Sequence, residues 1–94
     1  MYDVAILYGL FIGTRDVEGI REYLDRKFAC RFVVYVEREP LGWAQERLSQ
    51  ADFVDVVVTN NAAKKAKKHF RASSNAFLAP LDEFGKRGME RDPC

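Results

Sequence analysis

Histidine occurs once in these 94 residues and cysteine twice, and the cysteines, Cys30 and Cys94, show no CxxC pairing. A zinc centre built within the chain is therefore not expected, because such sites draw on clustered Cys and His. Nor is a disulfide framework, and the two thiols read as one buried and one in the tail. Long apolar runs are also missing: none approaches the roughly 18 residues of a membrane span. The opening "MYDVAILYGLF" lacks the basic start and small-residue cleavage site of a signal peptide. It reads as a first strand, so a cytoplasmic location with no membrane partner is the expectation. Internal repeats and low-complexity stretches are absent too.

One segment lacks acid altogether. "KKAKKHFR", residues 64–71, carries five of the 15 basic residues, while the other ten face all 14 acidic ones. The net charge of +1 thus hides a basic segment in an otherwise slightly acidic protein.

What is present is the material of one modest domain: 48% apolar and 31% charged residues, the balance of a packed soluble chain. "DVAILYGLF" is a near-continuous apolar run, as in a strand buried on both faces. "GTRD" follows, with Thr14 placed as a helix N-cap and Asp16 in the first turn. Val17, Ile20, Leu24 and Phe28 then recur at three- and four-residue spacing, one face of a helix. "CRFVVYVER" predicts a second strand, broken by "EPLG", and "WAQERLSQ" a short helix with Ala44 and Leu48 inward. "FVDVVVT" predicts a third strand and "NAAKKAKKHFR" a third helix, capped by Asn60 or Asn61. "AFLAPL" reads as a fourth strand, with residues 75–81 open between strand and helix. Residues 1–84 form the domain and 85–94 a polar tail.

This alternation predicts a small three-layer α/β sandwich with a three- or four-stranded parallel sheet in the flavodoxin-like order 2-1-3-4. Such sheets bind ligands beyond the carboxyl ends of their strands, at the switch point between strands 1 and 3. That rule selects Gly9, Gly13, Thr14, Glu37, Thr59, Asn60 and Asn61 as candidate nucleotide- or anion-binding residues. The glycines would let backbone N–H groups approach an anion, although neither a P-loop lysine nor GxGxxG spacing is present. Glu37 and Glu39 could serve as acid or base, and Tyr8 and Trp43 could line the cleft or the core. Asp55, inside "VDVVV", predicts a strand edge, a polar gap or a basic partner.

In the third helix Ala62, Ala63, Ala66 and Phe70 fall on one side. Lys64, Lys67, Lys68 and Arg71 fall opposite, with Lys65 and His69 on the flank. A solvated face explains this split. A weak nucleic-acid grip through Lys64, Lys65, Lys67, Lys68 and Arg71 is the alternative, with no aromatic on that face to stack on bases.

"VAILYG", "IREYLDRKF" and "VVYVEREPLGWAQERLSQADFVDVVVTNN" together resemble the first three strands of TIR and bacterial TIR-like "nucleotide-binding" domains, over residues 3–84. "EREPLG", residues 37–42, sits where the inter-subunit loop of that family would be. The resemblance implies NAD cleavage or TIR–TIR assembly. The family's ribose-binding Glu has no counterpart: the third helix carries no Glu, and Ala79 and Pro80 stand in the matching place after Asn75. A non-catalytic binding or self-assembly module is therefore the first expectation, as a homodimer and without a cofactor. Nucleic-acid binding and NAD cleavage are the alternatives.

Overall fold

The computed structural model describes residues 2–13, 16–20, 22, 31–49 and 54–84. Four strands, β1 (Val4–Gly9), β2 (Arg31–Val36), β3 (Val54–Val58) and β4 (Ala76–Pro80), form one all-parallel sheet. Residues 16–20 are helical (α1), as is residue 22, followed by α2 (Gly42–Ser49), α3 (Ala62–Ala72) and a single turn at 81–84 (α4). The α/β class and the four-stranded sheet agree with the sequence, and residues 76–80 are strand. Leu24, Phe28, both cysteines and the tail 85–94 lie outside the described residues.

The strand order differs from the expected one. It is β3-β2-β1-β4, so β2 stands between β1 and β3. Right-handed crossovers are compatible with either order, because handedness fixes the side on which a helix lies, not how far the chain steps. Here two successive steps run the same way, from β1 to β2 to β3, and α3 then carries the chain back to the far side of β1.

Register assigns each residue to a face. Ala5 lies level with Phe32 and Phe77, and Phe32 with Val54. With the period-two alternation of strands, Ala5, Leu7, Phe32, Val34, Val36, Val54, Val56, Phe77 and Ala79 therefore share one face. Val17 and Ile20 of α1, Ala44 and Leu48 of α2, and Leu81 and Phe84 of α4 close over it as one core. The Phe84 ring meets Phe32 edge-on at 5.9 Å and Phe77 at 6.2 Å. On the opposite face α3 packs on β1, β2 and β4, with Ala62 and Ala66 fully buried. β1, flanked by strands and covered on both sides, buries Ala5, Ile6 and Leu7 completely. Its unbroken apolar sequence is the imprint of that central place.

β3 is the contrast. It is an edge strand, with Asp55, Val57 and Val58 exposed and Val54 and Val56 half-buried. Asp55 is at the strand edge and also meets a basic partner, pairing with Arg31 of β2.

Candidate functional site

The carboxyl edge of the sheet collects most of the residues named from the sequence. Leu10, just past β1, accepts through its carbonyl from the N–H groups of Glu37 (3.1 Å) and Arg38 (3.0 Å). The Thr59 N–H donates to the Val36 carbonyl at 2.8 Å. Thr59, Glu37 and Leu10 thus step along one edge in strand order. The expected crevice between strands 1 and 3 is absent, because β2 fills it: Gly9 lies beside Val36, and Val36 beside Val58. Across two strand spacings, Gly9 and Thr59 are about 10 Å apart.

The polar groups expected to cradle an anion are largely satisfied within the chain. The Gly13 N–H donates to Asp16 Oδ2 at 2.9 Å, while the Gly13 carbonyl accepts from the Val17 N–H at 3.1 Å. This is the reciprocal half of a capping box, with the Asp16 carboxylate placed where an external anion was anticipated. Gly9 packs closely on α4, since a Cβ there would stand 3.1 Å from Leu81 Cδ1. Thr59 Oγ1 accepts from Lys65 Nζ and donates to the Asn60 carbonyl at 3.2 Å. Thr14 lies outside the described residues.

Asn61 caps α3 in a different way from the one expected. Its backbone is left-handed (φ 56°, ψ 47°) and its side chain makes no capping hydrogen bond. Its carbonyl begins the helix by accepting from the Lys65 N–H at 3.1 Å. Asn tolerates this conformation better than most residues, so here it acts as a turn former.

The 3-2-1-4 order opens a cleft elsewhere. About 300 Å³ lies beyond β1 and β4, lined by Tyr8, Gly9, Leu10, Phe11, Pro80, Leu81 and Asp82. Phe11, Pro80 and Asp82 were not legible as lining residues, because their proximity depends on β4 pairing with β1. Its wall is mainly apolar, with one exposed carboxylate and one phenol. A second groove, of about 280 Å³, runs between α2 and the β3 edge, with Leu48, Val54, Val56 and Val58 along its floor. Glu39, Gln45 and Ser49 supply its polar lining. Among the described residues no group of three His, Cys, Asp or Glu side chains could hold a metal ion. No helix there is long and apolar enough to cross a membrane.

The basic segment is one face of α3, with one reassignment. His69 turns toward the sheet, where its Nδ1 lies 2.9 Å from the Tyr35 hydroxyl. The inward stripe is therefore Ala62, Ala66 and His69, and Phe70 is displaced to an exposed flank at 37% exposure. Lys64, Lys65, Lys67, Lys68 and Arg71 are all exposed. The side chain of Lys65 alone of these five is engaged, with Thr59; those of the other four make no hydrogen bond or ion pair with any described residue. Compared with family models, with curated proteins and with solved structures, the chain has no significant match.

Proposed function

We propose that this protein is a self-assembly module whose β3 edge pairs with the β3 edge of a second copy. The observation that carries this reading is β3 itself: a "VDVVV" strand at the sheet edge, with Val57 at 37% and Val58 at 47% exposure. An open edge presents a row of unpaired backbone groups that another strand can complete. The segment is self-complementary. Antiparallel pairing about Val56 sets Val54 against Val58 and Asp55 against Val57, and two-fold symmetry is the commonest form of assembly. On the α2 side such pairing joins two apolar grooves into one continuous face. On the α3 side it directs the second copy's Asp55 toward Lys65, which already reaches the end of β3 at Thr59. An interface of one five-residue strand and its flanks falls below about 1,200 Å², the range of weak and reversible association.

Light scattering and sedimentation over a wide concentration range test the reading, with wild type compared to Val57→Lys and Val58→Lys. Both positions are exposed, so the fold should survive, and far-UV circular dichroism checks that it does. The expected result is a dimer that forms with concentration and is lost in both variants. A wild type that stays monomeric at every concentration would overturn it.

A further inference from the structure

We propose that the outward face of α3 binds single-stranded nucleic acid, tracking phosphates with Lys64, Lys67, Lys68 and Arg71 and stacking a base on Phe70. The cations come first. Four exposed positive side chains stand within about two turns of one helix, and no described acid neutralises any of them. Like charges this close repel one another, and a polyanion relieves that repulsion while releasing its own counterions.

The aromatic ring gives the surface its second half, and it is there because of His69. At about 100° per residue, a stripe through Ala62, Ala66 and His69 leaves Phe70 on the flank beside Lys67, three residues earlier. Had Phe70 taken the inward position, this face would be basic and nothing more. As built, one edge of the stripe is an exposed aromatic and the rest is positive charge that no described acid neutralises, the two components of a stacking platform. Duplex nucleic acid offers no exposed base face to Phe70, so the single strand is favoured. An anionic membrane surface is a poorer fit, because the apolar side of α3 is already used against the sheet.

The test is fluorescence anisotropy with labelled oligothymidine, oligouridine and a duplex, at several salt concentrations, alongside co-sedimentation with phosphatidylserine vesicles. Four phosphate contacts on a single strand set an upper slope of about −3 for log affinity against log salt. The triple change Lys64→Gln/Lys67→Gln/Lys68→Gln is expected to flatten that slope and weaken binding at least tenfold. The matching triple change to Arg is expected to keep it. Phe70→Ala should weaken single-strand binding about five- to hundredfold and leave duplex binding unmoved, with Phe70→Tyr retaining the wild-type affinity. All these positions are exposed, and thermal unfolding of each variant checks that the fold is intact. No binding at low salt, binding that the Gln variant keeps, a Phe70→Ala change without effect, or tighter binding to vesicles than to oligonucleotides would each overturn the proposal.

Discussion

The Tyr35 hydroxyl meets His69 Nδ1 at 2.9 Å, with the two rings edge to face at 87° and their centroids 6.0 Å apart. This contact joins β2 to α3 and accompanies the rotation that buries Ala62 and Ala66. The lone histidine of the chain is thus a packing residue whose Nδ1 has a partner, and with Ala62 and Ala66 it makes up the inward side of α3.

Tyr35→Phe removes one partner of a half-buried hydrogen bond and is expected to cost about 1 kcal/mol. His69→Ala removes ring contact as well and should cost more. Urea unfolding of both single variants and the double variant should give a coupling of about 0.5–1.5 kcal/mol. Additive effects would show that the two side chains do not act together.

Gly9→Ala places a methyl group 3.1 Å from Leu81 Cδ1, tight enough to displace that side chain. A loss of about 1–3 kcal/mol is expected, by the same mechanism as overpacking any filled core. Shortening the neighbour, as Leu81→Val, should recover part of that loss in the double variant. Thermal unfolding of the three proteins measures it.

Asn61 holds a left-handed backbone without a side-chain cap. Asn61→Gly is therefore expected to be neutral or mildly stabilising, and Asn61→Ala to cost about 1 kcal/mol. A conventional side-chain cap would make Asn61→Ala equally costly but would also lose a few tenths of a kcal/mol in Asn61→Gly, so the sign of the Gly change is the discriminating result. Chemical denaturation of the pair separates the two accounts.

The Arg31–Asp55 pair is well exposed, with side chains at 66% and 51%. Asp55→Lys should shift stability by less than about 1 kcal/mol, as expected of a surface ion pair. The same change should weaken the proposed self-association, because in the antiparallel β3 pairing it would turn the charge directed at Lys65 of the other copy from attractive to repulsive. Unfolding midpoints and concentration-dependent mass, measured on the same samples, check both halves.

Most of the elements were legible because local pattern determines them. β-branched runs marked β2 and β3, and three- and four-residue spacing put Val17, Ile20, Ala44 and Leu48 inward, where they are buried. The order of the strands was not legible, because both arrangements satisfy the same handedness. Asp55 held the one clue: a carboxylate amid valines suits an edge, and an edge place for β3 excludes the 2-1-3-4 order. On α3 the helical wheel favoured Phe70 over His69 on hydrophobicity alone. It could not register that Tyr35, distant in sequence, supplies a hydrogen-bond partner for an inward histidine. Nor was it legible that the Gly13 N–H, expected from the sequence to meet an anion, donates to Asp16 within the chain.

The placement of β1 at the sheet's centre has a consequence for the order of events as the chain is made. β1 is synthesised before the other three strands, yet one of its two sides is completed only by β4, which sets Val4 beside Ala76. Until residues 76–80 leave the ribosome, this interior strand of the sheet has an uncovered flank. Folding must wait for a contact between distant parts of the chain, which slows it and lengthens the exposure of the nascent strand.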